Sequence, residues 1–239
     1  MKTFALLSLA LTAALILPGC KSEVSYNQRL TVVVGTPAGE VRGFAVTQVT
    51  KTDTTGGIFL PPEARRVISK VVGEAVVVEV TPGRWLFALL DGREDGLGKA
   101  EYLVYPAFAL DKALGSDGFR SYEAAMAKLR AQPLDTPGTI PPSDYPLMVT
   151  FDDIARPETV RRVDPTDLAA SFGPGVALKA VTLEVTEDAV TGGRVEGVLG
   201  WLCSQKRDRV RLNGKSGAIS DNLLSNNLGS GEFKIGECK

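Results

Sequence analysis

The chain has 239 residues, with 27 Lys and Arg against 28 Asp and Glu and no histidine. A net charge of −1 gives nucleic-acid binding no electrostatic support, because neutralising phosphates needs a basic excess. The missing histidine excludes Ser-His-Asp and Cys-His catalysis, the common zinc-ligand sets and imidazole proton shuttling. An enzyme here would have to work with carboxylates, Lys, Tyr, Ser or Arg, and no motif implies a cofactor.

In chain order, the first element is an export signal. Lys2 precedes an uncharged, mostly apolar run of 14 residues, Phe4 to Leu17. As a helix this run would rise ~21 Å, short of the ~30 Å hydrocarbon core of a bilayer. A short apolar run behind a basic start reads as a cleavable signal. Leu17-Pro18-Gly19-Cys20 follows directly and resembles the lipobox of bacterial lipoproteins. That resemblance implies cleavage before Cys20, removal of residues 1–19, diacylation of the Cys20 thiol and acylation of the new amine. Two or more chains, at ~0.8 kcal/mol per buried methylene, hold a protein in a membrane where one chain does not. Lys21, standing where the family places Asp for inner-membrane retention, favours the outer membrane. The expected mature protein has 220 residues, faces the periplasm and touches the membrane through the lipid on Cys20.

Residues 20–28 read as a lipidated polar spacer, and 29–202 as one domain. Arg29 to Val34 is rich in β-branched residues and predicts a strand. Thr36-Pro37-Ala38-Gly39 turns the chain. Glu40 to Val49 alternates, with Val41, Gly43, Ala45, Thr47 and Val49 on one side, which makes a hairpin. Lys51 to Gly57 reads as a polar loop. Val67 to Val72 and Ala75 to Val80 predict strands interrupted at Gly73-Glu74, and Trp85 to Leu90 returns after the turn Thr81 to Arg84. Residues 97–114 fit helix or extended chain. Ser121 to Gln132 predicts a helix capped by Ser121, with Tyr122, Met126 and Leu129 on one face.

Residues 133–146 contain five prolines and read as an extended surface connector. Leu147 to Phe151 and Thr159 to Val163 predict strands, and Asp164-Pro165 opens a brief helix over 166–172. Val176 to Thr186 alternates with Ala177, Lys179, Val181, Leu183 and Val185 expected inward. Val195 to Leu202 is a further strand candidate. Strands outnumber helices without βαβ alternation, so the fold class expected is α+β on a mainly antiparallel sheet with a few short helices. The stretch Val149-Thr-Phe-Asp-Asp153, with Thr159-Val160, Val163-Asp164-Pro165, Asp167-Leu168 and Phe172-Gly173, resembles a widespread set of uncharacterised bacterial proteins. The likeness spans much of 29–186 and implies a shared architecture without any activity or site residue.

Cys203 and Cys238 remain once Cys20 is lipidated. Export places them in an oxidising compartment, where an even pair is expected to join and close a C-terminal extension, 203–239. That extension holds few large apolar side chains and needs such a closure. Asp152 and Asp153, at the end of an apolar strand, are candidate functional carboxylates for cation binding or acid–base work. The competing reading is a turn in which an Asp caps backbone N–H groups. Asp91 to Gly96 has the outline of a calcium loop but offers Arg93 and Tyr102 at ligand positions. Gly214-Lys215-Ser216 lacks the rest of a phosphate loop. Lys206, Arg207, Arg209 and Arg211 form a basic patch suited to anionic lipid or glycan, or simply to solvent. Trp85, Phe87, Tyr102, Phe108 and Trp201 read as core before pocket. Two functions follow: a lipid-anchored envelope domain that binds a protein, glycan or lipid partner, or a carboxylate-dependent envelope hydrolase with Asp152 and Asp153 5–10 Å apart across a cleft, as in two-carboxylate glycosidases (about this range).

Overall fold

The computed structural model describes residues 22–54, 61, 66–92, 98–110, 118–216 and 223–238, with backbone alone for Ser22 and 118–123. The signal run, Cys20, Lys21, most of the acidic turn after Asp91 and the Tyr122 side chain lie outside the described residues. The described residues form ten strands in two antiparallel sheets with short helices between and after them, the α+β class expected.

A long hairpin organises the molecule. Strand β1 (Ser22–Thr36) pairs with β2 (Gly39–Asp53) along its whole length, from Ser22 opposite Asp53 to Thr36 opposite Gly39. Thr36 closes the turn, its hydroxyl donating to the Gly39 carbonyl at 2.8 Å. The inward phase expected for β2 is observed, with Gly43, Ala45, Thr47 and Val49 buried. Two expectations change. From Ser22 onward residues 20–28 are strand, not spacer. Val24 and Gln28 are buried while Glu23 and Ser25 are exposed, an alternation concealed because one inward residue is a glutamine. Lys51 to Asp53, expected in a loop, complete β2 with Lys51 and Asp53 buried.

β3 (Val67–Glu74) and β9 (Ala177–Thr186) flank the hairpin, β9 with a bulge beside Val33 and Val34. The edges of this sheet are β10 (Lys234–Ile235) on β3 and β6 (Gly138–Thr139) on β9. The proline-rich connector therefore contributes an edge strand and buries Ile140 completely. On β9 only Val181 and Leu183 of the inward set are buried; the bulge shifts the phase, so that Val176 and Leu178 pack on the core while Ala177 and Lys179 are exposed. Gly73, at φ +142°, lets the chain leave this sheet and enter the next.

The second sheet, in order β4 (Val76–Thr81), β5 (Arg84–Ala88), β7 (Met148–Phe151) and β8 (Val160–Arg162), is covered on both faces. Val76, Val78, Val80, Leu86, Ala88 and Met148 face the hairpin and share a core with Val32, Ala45, Val181 and Leu183. The sheets approach so closely that a Cβ on Gly43 would lie 2.1 Å from the Val77 carbonyl oxygen. Helix α2 (Gly118–Arg130) adds Ala125, Met126 and Leu129 to this core, and starts three residues before the expected Ser121 cap. Helix α1 (Val104–Ala107) and the short α3 (Ala169–Phe172) close its ends. In front of α3, Asp164 accepts the Thr166 N–H at 2.8 Å, so the expected helix over 166–172 is half turn, half helix.

The other face of the second sheet carries Phe87, Val149, Phe151 and Val160, covered by a third, C-terminal layer. That layer contains α4 (Arg194–Val198), α5 (Leu202–Asp208), α6 (Leu224–Asn227) and α7 (Ser230–Phe233). The strand expected over 195–202 is thus replaced by the body of α4, a break at 199–201 and the first residue of α5. Val195, Leu199 and Leu202 are the buried residues there, a spacing of four and three that departs from the two-residue period of a strand. Residues 203–238 are no appendage: Leu212, Leu228 and Phe233 are fully buried, and Cys203 and Cys238 are bonded, with Cα atoms 5.8 Å apart. Phe87 packs edge-on against Phe151 and Phe233, at ring distances of 5.7 and 5.8 Å. Trp201 closes the cluster on Phe151 and donates its indole N–H to the Ile154 carbonyl.

Candidate functional site

Asp152 and Asp153 lie side by side where β7 ends, each with its own partners. Both are exposed at the β7–β8 turn. Asp152 pairs with Arg161 at 2.6 Å, its neighbour on the returning strand. Asp153 accepts the Ala155 N–H at 3.0 Å, and its own N–H donates to the Thr159 hydroxyl. This is the capped-turn reading, fixed by the need to satisfy backbone groups where a strand stops. Of the aromatic set, Phe87, Trp85 and Trp201 belong to the C-terminal cluster, Phe108 packs on the core beneath the hairpin, and Tyr102 is 41 % exposed. The basic patch falls on α5 and the chain after it, with Arg207 and Arg209 in solvent.

The polar chemistry that the fold does concentrate lies beneath the first half of the hairpin, where the second sheet no longer covers it. Register puts Gln28 opposite Thr47, and Lys51 opposite both Val24 and Ser69, all inward. The cover is a single turn of 3-10 helix, Ala100–Tyr102, leading into Leu103. Gln28 donates its amide N–H to the Ala100 carbonyl at 2.7 Å, and the Lys51 ammonium donates to the next carbonyl, Glu101, at 3.0 Å and to the Ser69 hydroxyl at 3.2 Å. Two neighbouring strands thus hold two consecutive carbonyls of the turn. The rings of Tyr102 and Tyr105 lie 5.2 and 5.3 Å from the Lys51 nitrogen, a distance at which ring quadrupoles attract a cation.

Lys51 is only 1 % exposed. Burial pushes its amine down to about 8, against the upward pull of the Glu101 carboxylate. The unfolded chain holds this proton up to its ordinary value of 10.5, so between pH 8 and 10.5 the unfolded state binds more protons and stability rises with pH. Below pH 8 the buried charge costs about 3 kcal/mol relative to the alkaline limit. Lys51→Met keeps the apolar stem and removes the charge with its hydrogen bonds, and is expected to be about 1–2 kcal/mol more stable than wild type at pH 7. Urea titrations at pH 7 and pH 10.5 check this: the variant's advantage should vanish or reverse at the higher pH, and a constant difference contradicts the account.

Beside this row Gln28, Thr47 and Glu74 line a cavity of about 10 Å³, room for one water. Glu74 is wholly buried, and one of its oxygens accepts the N–H groups of Arg194 and Val195 at 3.0 and 3.2 Å, so a carboxylate from β3 fixes the start of α4. Next to it Lys234 pairs with Glu196, which sits against the disulfide. Burial pushes the Glu196 carboxyl up, but the Lys234 hydrogen bond and charge outweigh it and hold the group below its usual range. The two sulfurs near Glu196 are bonded to each other and so are not thiolate ligands.

Sequence reading missed Gln28, Lys51 and Glu74. The available signal was phase: following the buried odd positions of β2 past Val49 reaches Lys51 and Asp53. Chemically the row is a set of buried ties. Its buried Lys51 is covered by two aromatic rings, and one oxygen each of Glu74 and Glu196 is turned to backbone N–H groups or to lysine. The chain matches no family model, no curated protein and no solved structure.

Proposed function

We propose that the protein is a bacterial envelope lipoprotein. Acyl chains on Cys20 hold it in a membrane, the outer one favoured by Lys21, and its folded part faces the periplasm as a binding domain for an envelope protein, glycan or lipid. The observation that carries this reading is the apolar run ending in Leu17-Pro18-Gly19-Cys20, two residues before the first strand of a folded domain. The Cys203–Cys238 bond supports it, since such bonds persist in exported proteins. The open face of the six-stranded sheet suits a binding role. Thr31, Thr182 and Thr139 form a row across three strands, and Ser25 hydrogen-bonds Thr50 at 2.8 Å, leaving hydroxyl and amide groups toward solvent. The hydrolase alternative finds no support in Asp152 and Asp153, one paired with arginine and the other engaged in a turn.

Cys20→Ser provides the test. Wild-type protein should incorporate radiolabelled palmitate and sediment with membranes, whereas the variant should lose the label and move to the soluble fraction. Label on the variant, or unchanged sedimentation, overturns the reading.

A further inference from the structure

The distance between the anchor and the fold is short enough to dictate how the domain stands. β1 begins at Ser22, so only Lys21 separates it from Cys20. Two residues of fully extended chain reach ~7 Å. The polar layer on each side of a bilayer's hydrocarbon core is itself ~5–7 Å thick. With acyl chains of Cys20 in the hydrocarbon, the start of β1 has no length left with which to rise clear of the headgroups. Three strands end at that level, since Ser22 is opposite Asp53 and Asp53 is opposite Val67.

We infer that the protein stands on the membrane by this one end of its six-stranded sheet, held by the length of the tether, with the β1–β2 turn pointing away. The inference rests on the lipid anchor proposed above and adds the contact surface and the orientation.

The surface at that end fits a lipid partner. Ile68, 45 % exposed, lies on the outer side of the sheet opposite Thr52, and Tyr102, 41 % exposed, lies on the inner side above Lys51. An aliphatic residue and a tyrosine straddling a sheet end are the side chains that enter an interfacial layer at low cost. Among the described residues there, charges are mixed: Arg66 and Lys70 are exposed, and so is Glu23, which accepts the Thr52 hydroxyl. Along the strands, Thr36 lies fourteen residue steps from Ser22, which places the turn ~46 Å from the strand start.

The full lipidated chain, reconstituted in phosphatidylcholine vesicles that contain a headgroup-level doxyl lipid, tests this. A bimane label is attached to Ile68→Cys or, in a separate protein, to the exposed turn position Ala38→Cys. Strong quenching at position 68 and none at 38 is expected. A Gly/Ser spacer of about 20 residues between Lys21 and Ser22, with ends ~25 Å apart, should abolish most of the quenching at 68 while the protein still floats with the vesicles. Equal quenching at 68 and 38, or quenching at 68 that survives the spacer unchanged, overturns the inference with the anchor intact. Protein that does not float at all brings down the anchor reading, and this inference with it.

Discussion

Phe87→Ala is expected to cost about 3–5 kcal/mol, the usual range for removing a fully buried phenyl ring. Phe87 has no exposed surface and lies at the contact between the second sheet and the C-terminal layer, edge-on to both Phe151 and Phe233. Those two rings come from segments some eighty residues apart, β7 and α7, so they cannot close the gap without moving separate elements (roughly the incomplete relaxation that makes cavities expensive). Trp201 stands on Phe151 at the rim of the cluster and reports on it. Urea unfolding followed by tryptophan fluorescence should show the lower midpoint, and near-UV circular dichroism should weaken. A loss below about 1 kcal/mol would mean the third layer is not packed on the second sheet as described.

Replacing both Cys203 and Cys238 by Ser should cost about as much by a different route. The bond closes a loop of 35 residues, for which the chain-entropy model gives roughly 3–4 kcal/mol. The bond also keeps Lys234 and the short β10 against β3, beside Glu196. Locally, the N–H groups of Ala75 and Leu90 donate to the carbonyls of Phe233 and Glu232, each at 2.8 Å. Their hydrogen exchange should accelerate in the double variant before that of the hairpin core around Leu30 and Val32. Uniform acceleration across both regions would instead mean that the C-terminal layer and the hairpin open as one unit.

How far the sequence can be read depends on which residue type carries the pattern. The long hairpin was legible because β-branched residues alternate on both sides of a clear turn at Thr36 to Gly39, and β7 because Leu147 to Phe151 is a short apolar run. The polar end of the same hairpin was not, since its inward positions include Gln28, Lys51 and Asp53, whose burial depends on tertiary contacts that composition cannot reveal. The helix at 194–198 was missed for a related reason. Val195, Val198 and Trp201 carry strand propensity, yet Val195, Leu199 and Leu202 recur at helical spacing, and the surrounding layer decides in favour of period over propensity. As for the candidate site, the cysteine pair was legible from its even count. The role of Asp152 and Asp153 turned on whether Arg161 and Thr159 would reach them, which depends on a turn geometry that residue type alone leaves open.

The edge strand β10 is formed by residues 234 and 235, and its partner β3 is formed by residues 67–74. Ala75 N–H, early in the chain, receives its acceptor only from Phe233, near the far end. Closure therefore waits for nearly the entire polypeptide, and pairing between such distant segments is slow to nucleate. A ribosome would release almost all of this molecule before the last layer could lock, so the third layer is the last part of the fold that synthesis makes possible.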